Sequence, residues 1–348
     1  MSRKYSLPTQ LLLRSIGLIK GDNILIVGLS EKEALNEITD LLKTVPTVFN
    51  FDYYAFKKLG EQEPKNLFGA WYQPKKLHDT AIIYLPKSEA LIEMLFSIIN
   101  GALIPKGKVY VVGQNKAGIK SQTETIEKYI GPIEYKDAAR HSVIYQSSLT
   151  QAVLPNNSLE NWVQKFMLEI SDVSLEVVSL PGVFSHGRLD DGTKMLLETL
   201  PRFENEKILD WGSGAGVIGA FIKKTSPNIE IDMVDSNALA VEASRLTMEE
   251  NGFETERVWT SDIFSDVKDK YDYILSNPPF HKGIETNYDV SAKFIAEAKN
   301  HLRPGGKIRI VANTFLGYRP LLKKAFGNLT VINENNSYRV YESRLDKV

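Results

Sequence analysis

The chain has 348 residues, 43% of them hydrophobic and 24% charged, with a net charge of −1. That balance excludes a disordered chain and a broadly basic nucleic-acid-binding surface, leaving only a local patch drawn from the 42 Lys and Arg residues. The absence of cysteine excludes disulfides and thiolate chemistry, and the five histidines (78, 141, 186, 281 and 301) lack the close spacing of a zinc motif, so no metal is expected.

The N-terminal stretch "MSRKYSLPTQLLLRSIGLIK" has no continuous apolar segment followed by a small-residue cleavage site. No apolar run reaches the roughly 18 residues that span a bilayer, so a cytoplasmic protein with no membrane partner is expected.

Along the first half, "DNILIVG" (Asp22 to Gly28), "HDTAIIYLP" (His78 to Pro86) and "NGALIPKGKVYVVGQN" (Asn100 to Asn115) read as strands bounded by turn residues. The polar stretch "SSLTQAVLPNNSLENW" follows, and a domain boundary is expected near residue 165, giving domains 1–165 and 166–348.

In the second half, the candidate strands are "KILDWG" (Lys207 to Gly212), "IEIDMVD" (Ile229 to Asp235), "RVWTSD" (Arg257 to Asp262), "YDYILSN" (Tyr271 to Asn277) and "GKIRIVAN" (Gly306 to Asn313). Helical segments separate them, which is the pattern of βα units around a doubly wound, mostly parallel sheet. "NALAVEASRLTMEENG" has helical spacing and ends on Gly252 as a C-cap, and "LGYRPLLKKAFG" is a further helix. The closing runs "NLTVINE" and "SYRVYES" predict an antiparallel hairpin at the sheet edge.

The two halves share this grammar. "DNILIVG" parallels "EKILDWG", "HDTAIIYLP" parallels "KYDYILSNPP", and "NGALIPKGKVYVVGQN" parallels "NHLRPGGKIRIVANT". Three matches in one order argue for a duplicated α/β domain. After Gly28 the first copy reads "LSEKE" with no further glycine, and after Leu85 it has a lone Pro86 followed by Lys87, so the fold is expected there without the site.

"ILDWGSGAGVIG" (Ile208 to Gly219) is a strand, a glycine-rich turn and a helix start, which suits a ligand with an anionic end. Gly214, Gly216 and Gly219 form a literal GxGxxG with Asp235 about twenty residues on, so an NAD-binding oxidoreductase stays open. However, the fingerprint begins two residues past the strand, and Asp210 stands where a pyrophosphate site keeps apolar residues. Asp210 suits a ligand bearing an ammonium group, such as S-adenosylmethionine. Asp235 is placed for ribose hydroxyls and Asp262 for an adenine amino group, a turn or cap role being the alternative for each.

"SNPPFHKGIET" (Ser276 to Thr286) puts two prolines at the end of a core strand, where a ladder cannot continue. Asn277 and Pro278 there offer two fixed carbonyl acceptors for the two hydrogens of an exocyclic amino group, and Phe280 is placed to stack on its base. His281 reads as a phosphate contact or an exposed loop residue. "LPGVFSHGRLDDGTKMLLETL" (Leu180 to Leu200) reads as a lid or a structural turn, with Arg188 and Lys194 as candidate phosphate or cofactor contacts.

These motifs resemble the class I S-adenosylmethionine-dependent methyltransferases. More narrowly, "LPGVFS" with "NPPFH" resembles the bacterial ribosomal RNA guanine-N2 methyltransferases of the RsmC type, along the whole chain. The resemblance implies two tandem Rossmann-like methyltransferase domains, the first degenerate. It implies S-adenosylmethionine as cofactor and S-adenosylhomocysteine as product. Asp210, Gly212 and Gly214 would hold the methionine part, Asp235 the ribose and Asp262 the adenine. Asn277, Pro278 and Phe280 would form a catalytic guanine pocket acting on 16S rRNA in the 30S subunit, and the first domain would dock RNA or ribosome. Trp211 and Ser213 depart from the residues usual in the family. A sister family acting on 23S rRNA shares the duplication and the pocket motif.

Overall fold

The computed structural model describes residues 5–60, 65–151, 157–278 and 285–346, with side chains in the last stretch from Val290 onward. The chain falls into two compact units, Met1–Trp162 and Val163–Val348.

The first unit contains strands β1 (Ile24–Val27), β2 (Thr47–Asn50), β3 (Asn66–Phe68), β4 (His78–Tyr84), β5 (Leu103–Gln114), β6 (Ile133–Ala139) and β7 (Ser142–Ser148). Its helices are α1 (Leu7–Arg14), α2 (Lys32–Leu42), α3 (Tyr53–Leu59), α4 (Glu89–Ala102) and α5 (Thr123–Tyr129). The sheet order is β3-β2-β1-β4-β5-β7-β6, with β7 antiparallel to both its neighbours and the other pairs parallel. All four residues of β1, Ile-Leu-Ile-Val, are buried, as expected of a parallel strand covered on both faces.

The second unit opens with a hairpin of β8 (Gln164–Ile170) and β9 (Val173–Ser179). There follow α6 (Asp191–Glu198), β10 (Lys207–Trp211), α7 (Val217–Thr225), β11 (Glu230–Asp235), α8 (Ala238–Glu250), β12 (Val258–Thr260) and β13 (Tyr271–Ser276). The unit closes with α9 (Glu285–Ala298), β14 (Leu302–Asn313), α10 (Tyr318–Phe326), β15 (Thr330–Glu334) and β16 (Tyr338–Arg344). Its main sheet runs β12-β11-β10-β13-β14-β16-β15, the topology of the first unit strand for strand, and β15 and β16 form the expected antiparallel edge hairpin.

The duplication extends to local geometry. Gly28 and Gly212 both follow the central strand at positive φ, +82° and +73°, and each donates its N–H across to the neighbouring parallel strand. The pairings of β4 with β5 and of β13 with β14 each slip register at the same place. At the bend inside β5 the first unit holds Lys106 at φ +64°, where the second holds Gly305 at +81°.

The hairpin before α6 is absent from the sequence expectations. Its inner strand β9 is completed by side chains one helical turn apart, in the last turn of α8 and at its C-cap. Thr247 Oγ1 accepts from Val178 N–H at 2.9 Å, and Asn251 donates from Nδ2 to the Glu176 carbonyl at 2.7 Å. The third strand is shorter than expected, ending at Thr260, so Asp262 lies in the turn beyond it.

Further along the sheet, Arg309 of β14 is 6% exposed and pairs with Glu342 of β16 at 2.5 Å. Arg309 also donates to the Tyr273 hydroxyl at 3.2 Å and to the Thr199 carbonyl at the end of α6. This network ties α6 to the middle of the sheet.

Candidate active site

The carboxyl ends of β10, β11 and β13 converge on one crevice, as a doubly wound sheet requires at its switch point. Asp210, on β10, is completely buried. Its Oδ2 accepts from the Gly219 N–H at 3.2 Å, and its Oδ1 has no hydrogen-bond partner. Burial pushes its pKa up to about 7; the Gly219 N–H works against this, and the charge of Asp235 adds to it.

The four glycines of the loop divide by function. A Cβ on Gly216 would sit 2.9 Å from the Ser244 Cα on α8, and one on Gly219 would run into the Met233 side chain on β11, so the first permits close approach of the loop to α8 and the second close packing of α7 on the sheet. Gly212 and Gly214 face open space within 4 Å, on the side where a ligand would lie. The loop is pinned from behind, because Ser244 Oγ hydrogen-bonds Ser213 Oγ at 2.9 Å and the Gly214 carbonyl at 3.0 Å.

Asp235 ends β11. Its carboxylate accepts from Gly214 N–H at 3.1 Å and Asn237 N–H at 2.9 Å, while Asn237 itself caps α8. Asp235 is therefore not the helix cap, and it stands directly against the glycine loop. Past β12, Asp262 precedes Ile263, a β-branched residue at φ +54°. That strained geometry aims the Ile263 carbonyl at Trp211 Nε1, 2.9 Å away, and fixes the turn that carries Asp262. Trp211 in turn stacks on Phe294 with ring centroids 3.8 Å apart, so this departure from the family pattern belongs to the core.

At the end of β13, Ser276 is buried with its Oγ unpartnered. Asn277 donates both hydrogens of Nδ2 toward α6, to Asp190 Oδ2 at 2.9 Å and Thr193 Oγ1 at 2.8 Å. Its Oδ1 is buried with no hydrogen-bond partner. Pro278 is buried. Pro279, Phe280 and His281 lie outside the described residues.

The structure therefore brings Asp210, Gly212, Gly214, Asp235, Asn277 and Pro278 to one end of one sheet, with Asp262 in the adjoining turn. Lys194 instead reaches Glu198, 4.0 Å away along α6, and Arg188 is exposed. Asp190 and Thr193 were missed in the sequence, although an aspartate three residues before a threonine at a helix start is a capping signal. Among the described residues, no group of three or more His, Cys, Asp or Glu side chains could hold a metal ion. No helix among them is long and apolar enough to cross a membrane.

Two family models match the chain, a methyltransferase small domain over residues 174–342 and its N-terminal companion over residues 9–166. Fold and site thus define a two-domain methyltransferase of the small-domain class. The ribosomal RNA small subunit methyltransferase C of Vibrio parahaemolyticus serotype O3:K6 is 37% identical over 98% of this chain and 98% of its own. That of Psychromonas ingrahamii is 36% identical over 97% and 96%. The chain belongs to the ribosomal RNA small subunit methyltransferase C family. A solved structure described as the T. thermophilus 16S rRNA N2 G1207 methyltransferase in complex with AdoMet and guanosine has the same fold, with a TM-score of 0.83 over 99% of this chain and 93% of that one, at 23% identity.

Proposed function

We propose that the protein transfers a methyl group from S-adenosylmethionine to the exocyclic N2 of a guanine in 16S rRNA, with the small ribosomal subunit as its substrate in the cytoplasm. The observation that carries this reading is the buried, unpartnered Oδ1 of Asn277 at the end of β13, beside the glycine loop. The named small-subunit relatives favour 16S over 23S rRNA, and they favour methyl transfer over the hydride chemistry that the literal GxGxxG left open. The guanine named for the T. thermophilus structure, G1207, is the position proposed here.

Bound S-adenosylmethionine supplies an electrophilic methyl on a sulfonium. Asp210, with one free oxygen, and the open faces of Gly212 and Gly214 suit its methionine end; Asp235 suits the ribose and Asp262 the adenine. A guanine amine is a weak nucleophile because its lone pair is delocalised into the ring. Asn277 Oδ1 and the Pro278 carbonyl, accepting its two hydrogens, favour the pyramidal nitrogen and stabilise the positive charge that builds during attack. Pro278, with its ring-fixed φ, helps hold its own carbonyl in place before the substrate arrives, and Phe280, which lies outside the described residues, is proposed to stack on the base. The N-terminal unit serves in RNA docking, a reading supported by exposed aromatic and lysine pairs on α3, where Lys58 lies 5.7 Å from the Tyr54 ring centroid.

The test is transfer of labelled methyl to unmodified small subunits, large subunits and their deproteinised RNAs, with nucleoside digestion, using wild type and Asn277→Ala. Label in N2-methylguanosine from small subunits, lost in the variant, supports both reaction and pocket. Label only in large subunits, or none in any RNA, overturns the assignment.

A further inference from the structure

Asparagine is an ambiguous acceptor, because its amide presents an oxygen on one branch and an NH2 on the other, and a rotation of 180° exchanges them. An acceptor that is to hold a substrate amine must be kept from turning. We propose that Asp190 and Thr193 are positioning residues that lock the Asn277 amide with its Oδ1 presented to the substrate amine. The proposal rests on the reading that Asn277 accepts from that amine.

The carboxylate of Asp190, which can only accept, sets the hydrogen-bond roles in this cluster. Asp190 Oδ2 caps α6 by accepting from the Thr193 N–H at 2.8 Å, and it also accepts from the Thr193 hydroxyl at 3.3 Å. With its proton directed to Asp190, Thr193 Oγ1 has only lone pairs left for Asn277. Both groups facing the amide, Asp190 Oδ2 and Thr193 Oγ1, are therefore acceptors, and both contact Nδ2, at 2.9 and 2.8 Å. A flipped amide would set Oδ1 against the carboxylate with no proton between them, and would leave the NH2 where Oδ1 is now buried without a partner. Thr193 is 7% exposed, so water does not readily relieve that clash. The backbone holding the pair is itself constrained. A Cβ on Gly192 would meet the Tyr338 ring at 2.8 Å and Asp190 Oδ2 at 3.0 Å, so only glycine fits between cap and threonine.

The duplicated unit supplies an independent observation. Thr9 occupies on α1 the place of Thr193 on α6, three residues past a capping position held by Ser6 in one unit and Asp190 in the other. Thr9 Oγ1 meets the hydroxyl of Tyr84, the residue at the position of Asn277, at 3.2 Å. Contact between this helix start and the fourth-strand end thus belongs to the frame of both units. In the second unit, the capping residue is a carboxylate and the strand-end residue an amide that a carboxylate can orient.

The test compares rates at saturating cofactor and RNA for Asp190→Asn, Thr193→Val, Thr193→Ser, Asn277→Ala and the Asp190→Asn/Asn277→Ala double variant. Asparagine caps helices as well as aspartate does, so Asp190→Asn keeps α6 while admitting either amide orientation. The expected result is a loss of about tenfold to a hundredfold in kcat for Asp190→Asn and Thr193→Val, the scale of a misplaced reacting group. KM for S-adenosylmethionine stays within about twofold of wild type, and Thr193→Ser recovers the rate. In the Asn277→Ala background, Asp190→Asn causes no further loss, because the group it orients is gone. Wild-type kcat in both Asp190→Asn and Thr193→Val, or an undiminished loss in the double variant, overturns the positioning role while leaving Asn277 in place. Full activity of Asn277→Ala overturns the reading of Asn277 itself, and the positioning role with it.

Discussion

Tyr84 stands in the first unit where Asn277 stands in the second. Ile82 pairs with Ile26 on β1 as Leu275 pairs with Asp210 on β10, and each of these two residues lies two positions further along its strand. The exchange removes the amide acceptor and puts a phenol in its place. Burial pushes the Tyr84 pKa up, so the ring stays neutral and its hydroxyl remains with Thr9. On the central strand, Ile26 replaces Asp210, so the first unit lacks both the carboxylate and the amide that the proposed chemistry uses.

Asp210 makes stability depend on pH. With a folded pKa near 7 and an unfolded value near 3.8, the folded carboxyl keeps a proton that the unfolded chain has lost throughout that interval. Folding without ligand therefore weakens as pH rises from about 4 to about 7 and levels off above. Asp210→Asn removes the effect and is expected to be more stable than wild type at pH 8, by on the order of 2–4 kcal/mol in urea denaturation. Affinity for S-adenosylmethionine should rise through pH 7 in wild type, as the carboxylate ionises to meet the ammonium. Calorimetric titration of Asp210→Asn should give weaker binding and no such rise.

The loop glycines should separate stability from binding. Gly216→Ala combines positive φ with a Cβ 2.9 Å from the Ser244 backbone, and is expected to cost about 2–4 kcal/mol. Gly212→Ala meets nothing within 4 Å, so it should cost only about 1–2 kcal/mol from its backbone angle while reducing cofactor affinity. Denaturation and binding isotherms on the two variants check the contrast.

Removing Glu342 leaves Arg309 buried and unpaired. Glu342→Ala is expected to destabilise the second unit by about 3–5 kcal/mol, read by thermal or urea unfolding. Burial raises the Glu342 pKa, but hydrogen bonds from Tyr273 and Arg309 outweigh it and the net shift is downward. The pair's contribution is thus complete above the ordinary glutamate range and is lost in wild type only as pH falls below it.

Lys106 adopts a left-handed backbone in the first unit where the second unit has Gly305. Lys106→Gly removes that strain and gives back part of it as unfolded-state entropy, for a net stabilisation of about 0.5–1 kcal/mol. An unchanged or lowered denaturation midpoint would contradict this account of the bend.

The central strands were legible because parallel strands covered on both faces read as continuous apolar runs, as in "ILIV" and "YILS". The β6–β7 hairpin was not legible, since its turn residues Arg140 and His141 both take positive φ without the Asn or Gly that signals such a turn. The β8–β9 hairpin was hidden by its charged alternation and by its dependence on Thr247 and Asn251, far along the chain. At the site, strand-end residues could be placed from local pattern. The Asp190–Asn277 pairing could not, because 87 positions separate the partners and nothing local marks them as neighbours.

Helix α6 is fastened at its first residues to the end of β13 and at its last to Arg309 in the middle of the sheet. Eight residues of helix make a rod about 12 Å long, stiff on the scale of a bond length. Asn277 is therefore gauged from the sheet interior rather than from the segment that follows Pro278. Packing deep in the sheet thus sets a spacing at the crevice, so the core of this unit serves as a gauge as well as a support.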